Sequence, residues 1–186
     1  DAATGLRSKK ALFKDLEKEL ERFARNGKQF TVAIARIDEY EKIHGAFGDE
    51  KTKEYVKMVA EFIKKSMRSF DDAYVYERDK FVLCLKQSDV TGGIAALERL
   101  RNELEAEDVI INLGDSKLPL TMSCCVAEPM PNEKVDELLK NLSEDLKEAC
   151  KEPDTVLQYL IYHDKLVKED LSSENKVQAW CHKLQE

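Results

Sequence analysis

The chain has 186 residues, of which 42% are hydrophobic and 36% charged, and its 30 Lys and Arg against 37 Asp and Glu give a formal net charge of −7. This length and apolar content predict one domain with a buried core, with or without an appendage, and exclude wholesale disorder. The negative charge argues against a nucleic-acid partner, because non-specific binding depends on neutralising phosphates, and no stretch approaches the roughly 20 apolar residues of a membrane span.

The cysteines and the first residues of the chain indicate the cellular compartment in which this segment is expected. The five cysteines form no C-x-x-C pair and their number is odd, which argues against a disulfide framework and for a reducing, cytoplasmic compartment. No Cys and His cluster has the spacing of a structural metal site. Residues 1–6 carry no signal peptide and are expected to continue from a longer polypeptide, whose other domains would be partners of this segment.

Hydrophobic periodicity divides the chain into alternating helices and strands. Helical spacing of apolar residues marks the helices, whereas apolar runs or alternation with β-branched and aromatic residues mark the strands. The predicted helices cover residues 8–27, 50–67, about 91–106 and about 134–151. The predicted strands cover residues 29–38, 73–77, 81–86, 109–113, 118–127 and 155–162.

This order of elements is a helix, a βαββαβ core with an added hairpin, and a final helix–strand unit. It predicts an α/β (α+β) fold with a central, mostly antiparallel sheet flanked by helices that bury one of its faces. We expect the domain to occupy residues 1–162. Residues 163–186 are polar and helix-prone, and are expected to form a helical C-terminal tail or connector.

Several short motifs occur in an order and spacing that resemble the GGDEF domain family over residues 1–160. They are Thr4-Gly5-Leu6, Ile37-Asp38 at the end of the first strand, Phe47-Gly48, the strand–turn–strand run at 75–82, and Thr121-Met122-Ser123. GGDEF domains are bacterial diguanylate cyclases, which condense two GTP into cyclic di-GMP with two magnesium ions. The resemblance implies a palm fold like that of nucleotidyl cyclases, which agrees with the predicted order of elements, and a role in signal transduction.

The resemblance also implies where metal ligands should lie. In active relatives one carboxylate near the end of the first strand and another in the hairpin turn hold the magnesium that bridges the triphosphate and activates the 3′-hydroxyl. Arg36 aligns with the first of these, and a guanidinium has no lone pair to offer a metal. Asp38 and Asp79 leave too few ligands, so we expect no magnesium cofactor.

The signature turn differs as well. It reads Glu77-Arg78-Asp79-Lys80-Phe81 instead of Gly-Gly-Asp/Glu-Glu-Phe. Two glycines would let the backbone adopt positive φ and approach phosphates closely. Glu77 and Arg78 instead place side chains at these two positions, and Lys80 puts a positive charge where the family has a glutamate.

Other nucleotide-binding positions are altered too. His44 and Lys53 align with the Asn and Asp that read guanine in active relatives, and Cys150 aligns with a phosphate-binding Lys. Each lost charge partner typically removes about 2.7–4 kcal/mol of transition-state stabilisation. Together the changes predict a degenerate domain, a pseudoenzyme with a vestigial active site.

A second site of the family is retained. Arg68-Ser69-Phe70-Asp71 is the only Arg-x-x-Asp sequence in the chain, and five residues separate it from Glu77. The resemblance identifies it as the inhibitory site, which binds the product cyclic di-GMP. An arginine can fork onto guanine O6 and N7, and a carboxylate can accept hydrogen bonds from guanine N–H groups. Arg99 aligns with a secondary arginine that binds ligand on a neighbouring domain, which implies a ligand-induced homodimer.

Three functions are compatible with these residues. The domain is a cyclic di-GMP receptor that relays the signal to attached domains or partners, or a protein-interaction or dimerisation module without nucleotide binding, or an enzyme with residual nucleotide chemistry. The shortage of metal ligands disfavours the third, although GTP binding without turnover stays open. We favour the receptor, and titration with cyclic di-GMP separates it from the interaction module.

Overall fold

The computed structural model describes residues 1–130, 132–151, 153–154, 156–162 and 165–170. In that part of the chain four helices and eight strands are formed. The helices are α1 (Lys9–Asn26), α2 (Tyr40–Ser66), α3 (Val90–Ala106) and α4 (Val135–Ala149). The strands are β1 (Phe30–Ile37), β2 (Asp72–Val75), β3 (Lys80–Lys86), β4 (Ile110–Leu113), β5 (Ser116–Pro119), β6 (Met122–Ala127), β7 (Val156–Tyr162) and β8 (Lys165–Asp170).

The central sheet has six strands in the order β2-β3-β1-β6-β7-β8, and β4 and β5 form a separate two-stranded sheet. All neighbours in the central sheet are antiparallel except β6 and β7, which are parallel. The predicted fold class, an α+β fold with a central and mostly antiparallel sheet flanked by helices, is therefore confirmed.

Helices cover both faces of this sheet, so the prediction that they bury only one face is wrong. Alternate residues of β1 point to opposite sides: Ala33 and Ala35 pack in a cluster with α2 and α3, whereas Val32 and Ile34 pack in a cluster with α1 and α4. Burial of both faces is the reason that β1 is an almost unbroken apolar run rather than an alternating one.

The first helix follows its sequence signals. The Ser8 hydroxyl accepts a hydrogen bond from the Ala11 backbone N–H at 3.3 Å, and thus caps the N-terminus of α1. Gly27 adopts a left-handed conformation with φ of 66°, and its N–H donates to the Phe23 carbonyl at 2.8 Å. Glycine takes this conformation without steric penalty, so the helix ends there.

Two predicted boundaries need correction. Helix α2 begins at Tyr40, ten residues before the predicted start, and its helical backbone is interrupted at Gly48, where φ is 71°. The first part of this helix contains two buried apolar residues, Tyr40 and Ile43, and two positions are too few to reveal a helical repeat in the sequence. The predicted strand 118–127 is two strands, because β5 pairs with β4 and β6 pairs with β1.

The predicted C-terminal helical tail is also corrected in part. Residues Lys165–Asp170 form β8, which pairs antiparallel with β7. Helix propensity is a weak preference that tertiary pairing overrides, so these residues are strand despite their composition. The other residues of the predicted tail, 163–164 and 171–186, lie outside the described residues, and the domain boundary at residue 162 stays a prediction.

Candidate functional site

The candidate site residues divide between the two ends of the central sheet. Strand β1 ends at Ile37 beside the β2–β3 turn, and the Ile37 N–H donates to the Asp79 carbonyl at 3.0 Å. Strand β1 begins at Phe30, which is paired with Lys86 at the far end of β3. Eight extended residues span about 24 Å, so the two ends are well separated.

A cleft of about 450 Å³ lies at the first end. We call it the signature cleft, and it is lined by Tyr40, Glu41, His44, Glu77, Arg78 and Asp79. The turn beside it is closed by the Lys80 carbonyl, which accepts from the N–H groups of Tyr76 and Glu77 at 2.9 and 3.2 Å. The Lys80 ammonium also pairs with the Glu77 carboxylate at 2.7 Å. The two altered signature positions therefore neutralise each other.

Arg36 and Asp79 form an ion pair, with 2.5 Å between Nε and Oδ2. The Asp79 side chain is 10% exposed and that of Arg36 31% exposed. Partial burial opposes the charge of Arg36, but the hydrogen bond and the charge of Asp79 prevail and raise the pKa of the guanidinium. Cys150 lies next to this pair, and burial raises the pKa of its thiol although Arg36 opposes that effect.

The side chain of Asp38 is held by hydrogen bonds within the protein. Its buried carboxylate accepts hydrogen bonds from the hydroxyls of Thr121 and Ser123 at 2.8 and 2.7 Å, and from the backbone N–H of Asp154 at 2.8 Å. Burial raises the pKa of Asp38, while these hydrogen bonds act in the opposite direction. The carboxylate thus fastens the end of β1 to β6 and to the segment after α4.

The two residues aligned with guanine-reading positions lie near Asp49. The His44 ring stacks on Tyr40 with centroids 6.1 Å apart, and its Nε2 lies 2.8 Å from the Asp49 carboxylate. The hydrogen bond with His44 lowers the pKa of Asp49, and the charges of His44, Lys53 and Arg78 lower it further. The sequence-predicted residues of this end are therefore brought together, and four of them form two ion pairs, Arg36 with Asp79 and Lys80 with Glu77.

Arg68 and Asp71 form a tight turn at the opposite end. The Asp71 N–H donates to the Arg68 carbonyl at 3.1 Å, and the Arg68 N–H donates to the Asp71 carboxylate at 3.3 Å. The other oxygen of this carboxylate accepts from the Lys86 N–H at 3.0 Å. Burial raises the pKa of Asp71, although both N–H groups oppose the shift. The carboxylate is thus fixed in position between α2 and β3.

The Arg68 side chain is exposed and, within the described part of the chain, has no carboxylate partner in an ion pair. Its guanidinium lies 6.0 Å from the centroid of the Phe70 ring, a cation–π distance. Arg99, on α3, donates from Nη2 to the carbonyl of Ser66 at 3.1 Å. The structure therefore brings all three predicted effector residues to the same end of the sheet.

The burial of Arg101 was not predicted from the sequence, because an arginine in a polar stretch of a helix is typical of an exposed surface residue. It is only 9% exposed, and it donates to Asp154 at 2.7 Å and to Glu98 at 2.8 Å. The backbone N–H of Asp154 in turn donates to the Asp38 carboxylate, so these residues join α3 to the end of β1. Arg101 and Asp154 are 53 positions apart in sequence, and no local pattern relates them.

Among the described residues, no group of three or more His, Cys, Asp or Glu side chains is arranged to hold a metal ion. No helix among those residues has the length and apolar character needed to cross a membrane.

Comparison with known proteins identifies the family. The family model for the diguanylate cyclase GGDEF domain matches residues 1–156. The diguanylate cyclase DgcP of Pseudomonas aeruginosa is 31% identical over 106 residues, which are 57% of this chain and 16% of that protein. The chain thus spans only a small part of this curated relative.

Solved structures show the same fold. The GGDEF domain of DgcB from Caulobacter crescentus, in complex with c-di-GMP, has a TM-score of 0.77 at 18% identity, covering 85% of this chain and 94% of that one. The diguanylate cyclase SiaD of Pseudomonas aeruginosa, in complex with its activator SiaC, has a TM-score of 0.77 at 22% identity, covering 85% and 60%. The fold agrees with these solved structures, and the family model matches residues 1–156. The chain therefore belongs to the GGDEF domain family.

Proposed function

We propose that this GGDEF domain binds cyclic di-GMP at Arg68 and Asp71 and does not synthesise it. The observation that carries the proposal is the contrast between the two ends of the sheet. At the signature cleft the Asp79 carboxylate is held by Arg36 and the Glu77 carboxylate by Lys80. At the other end the Arg68 guanidinium has no carboxylate partner among the described residues and stands beside a carboxylate that is already in position.

The Arg36–Asp79 ion pair supports the absence of cyclase activity. In the alignment with the family these two positions are the ones that supply carboxylates to magnesium. Here the carboxylate of Asp79 is engaged by a guanidinium 2.5 Å away, and a fixed positive charge beside it repels a divalent cation. The residues present do not fit the metal. Asp38 does not replace the missing ligand, since its two oxygens accept three hydrogen bonds.

The signature turn supports the same conclusion through its bulk and charge. Glu77 and Arg78 carry side chains where the family has glycines that let phosphates approach the backbone. Both line the signature cleft, and the carboxylate of Glu77 has the sign that repels a triphosphate. The missing charge partners each correspond to about 2.7–4 kcal/mol of transition-state stabilisation, so their joint loss predicts no measurable turnover.

The Arg68–Asp71 turn has the chemistry to bind a guanine nucleotide. The guanidinium can fork onto guanine O6 and N7, or stack on the base. Each Asp71 oxygen accepts a single backbone hydrogen bond and keeps a free acceptor position toward guanine N–H groups. The turn is preorganised, because the backbone hydrogen bonds to Asp71 exist before ligand arrives, which lowers the ordering cost of binding.

Arg99 extends this site toward a second molecule. Its guanidinium is held at the C-terminal end of α2 by the Ser66 carbonyl, close to the start of the Arg68–Asp71 turn. Cyclic di-GMP has two guanines and two phosphates, so one ligand can contact residues of two domains. We propose that ligand binding brings two copies of the domain together, and that attached domains of the longer protein receive the signal.

Isothermal titration of the purified domain with cyclic di-GMP tests the proposal. Arg68→Ala is expected to weaken binding by about 2–5 kcal/mol, because it removes a charged partner of the ligand. Arg78→Ala, which removes the same charge at the opposite end of the sheet, is the matched control and is expected to bind like the wild type. Asp71→Ala is a less direct test, since that carboxylate also holds the turn.

The outcomes separate the alternatives. A wild-type protein that does not bind cyclic di-GMP supports the interaction module instead. Binding that is weakened by Arg78→Ala and not by Arg68→Ala would place the ligand in the signature cleft. Incubation with GTP and magnesium, followed by chromatography, is expected to yield no cyclic di-GMP, and product formation at an ordinary rate would refute the proposed loss of activity.

A further inference from the structure

A cavity of about 610 Å³ opens beside Arg68. We call it the Arg68 cavity, and it is lined by Lys28, Gln29, Arg68, Gln87, Ser88, Asp89 and Gly92. These residues come from the α1–β1 connection, the end of α2, the β3–α3 connection and the first turn of α3, which meet at the end of the sheet opposite the signature cleft. The volume lies within the range of about 300–1,000 Å³ that is usual for small-molecule sites.

The Arg68 cavity carries unbalanced positive charge. Lys28 and Arg68 both line it, and in the described part of the chain neither has a carboxylate partner in an ion pair. The acidic residue in the wall, Asp89, is engaged as the N-cap of α3, where its carboxylate accepts from the Gly92 N–H at 2.8 Å. Two cations at one concave surface of a protein with net charge −7 favour an anionic ligand.

The wall formed by the β3–α3 connection is held rigidly. The Ser88 carbonyl accepts from the Thr31 hydroxyl at 2.9 Å. Gln87 adopts a left-handed conformation, with φ of 51°, which is uncommon for a residue with a side chain. The connection also packs closely on α3, because a Cβ at Gly92 would lie 2.5 Å from the Ser88 hydroxyl oxygen. A ligand therefore meets a preformed surface rather than a loop that must be ordered.

We propose that the ligand held by Arg68 and Asp71 extends across Arg68 into this cavity, and that Lys28 binds one of its phosphodiester groups there. The inference rests on the proposed cyclic di-GMP binding and adds a residue outside the Arg68–Asp71 turn. Arg68 belongs both to the turn and to the cavity wall, so a ligand that contacts its guanidinium can extend into the cavity that Lys28 also lines. An ammonium on a flexible stem suits a phosphate, which it contacts as a point charge. The side-chain amides of Gln29 and Gln87 offer both donors and acceptors to the sugar and base atoms beside that phosphate.

Titration of the purified protein with cyclic di-GMP tests the role of Lys28. Lys28→Ala is expected to raise Kd about ten-fold, which corresponds to one charge-assisted hydrogen bond. Lys28→Glu is expected to raise it further, because a carboxylate repels the phosphate. The matched controls are Lys10→Ala and Lys10→Glu, which make the same charge changes at an exposed position near the start of α1, about 25 Å along the helix from Lys28. Both are expected to bind like the wild type.

A salt series adds a second measurement. The dependence of log Kd on log salt is expected to be shallower for Lys28→Ala than for the wild type, because fewer phosphate charges are neutralised. Thermal unfolding of each variant establishes that it is folded. An unchanged Kd for Lys28→Ala, with binding lost in Arg68→Ala, would overturn the role of Lys28 and leave the proposed receptor intact. Absence of binding by the wild type, or full binding by Arg68→Ala, would overturn the proposed function and this inference with it.

Discussion

Arg36, at the end of β1, and Asp79, in the β2–β3 turn, form an ion pair whose Nε and Oδ2 atoms lie 2.5 Å apart. The resemblance to active family members implies two carboxylates at these positions, and two like charges need a cation between them. Here one carboxylate and one guanidinium satisfy each other directly. The Asp79 carboxylate therefore has a cationic partner within the protein.

Removal of Arg36 is expected to destabilise the fold. Arg36→Ala leaves the mostly buried carboxylate of Asp79 without its partner, and we expect the free energy of unfolding to fall by about 1–3 kcal/mol. Urea denaturation at neutral pH measures this difference. Lys51→Ala is the control, because it removes an exposed pair with Glu54 on α2 and is expected to have little effect on stability. Equal stability of Arg36→Ala and the wild type would contradict this account of the pair.

The affinity for cyclic di-GMP is expected to decrease in mildly acidic solution. Burial raises the pKa of Asp71 above its ordinary value of 3.8. Only the ionised carboxylate has all its oxygen positions available as acceptors, so binding weakens as the pH falls through that raised pKa, and it begins to weaken before an ordinary aspartate would protonate. Below the pKa the ionised fraction falls about ten-fold per pH unit.

The pH dependence of Kd is measured by titration from pH 7 down toward pH 4.5. Asp71→Asn provides the control, since it binds more weakly but has no proton to gain at this position. Its Kd is expected to vary less over the range than that of the wild type. A wild-type Kd that is constant over this range would exclude protonation of Asp71 as a determinant of affinity.

Loss of Arg99 is expected to affect dimerisation more than binding. Arg99→Ala removes the guanidinium that lies beside Ser66, at the edge of the site formed by Arg68 and Asp71. Light scattering with saturating cyclic di-GMP is expected to give a dimer for the wild type and mainly monomer for Arg99→Ala, whereas both stay monomeric without ligand. A variant that dimerises with ligand as the wild type does would show that Arg99 has no role in joining two domains.

Two glycine substitutions are expected to change stability in opposite directions. Gly93, on α3, faces the sheet, and a Cβ there would lie 2.7 Å from Thr31 Cγ2 and 3.1 Å from Val126 Cγ2. Gly93→Ala is therefore expected to lower the free energy of unfolding by about 1–3 kcal/mol through overpacking. Gly45→Ala, also in a helix but with open space around the added methyl group, is expected to raise it by about 0.5–1 kcal/mol. Stabilisation by Gly93→Ala in thermal melts would show that α3 shifts freely against the sheet.

Local signals account for the elements that the sequence predicted well. Helix α1 has a capping serine, an apolar repeat and a terminal glycine, all within 20 residues, and each acts on its own neighbourhood. The start of α2 was not predicted, because residues 40–48 contain only two buried apolar side chains in helical spacing and a left-handed glycine at their end. Strand β8 was not predicted because its pairing with β7 has no local signature.

By itself the sequence determined the family, most of the order of the strands and helices, and which residues stand in the signature turn and in the Arg-x-x-Asp motif, because those properties depend on residue type and on spacing along the chain. Tertiary structure decided which charges neutralise which. Arg36 meets Asp79 across 43 positions, Asp38 is held by Thr121 and Ser123, and Arg101 is buried against Asp154. Partners of this kind are fixed by strand pairing and helix packing, which bring together side chains that no sequence spacing relates.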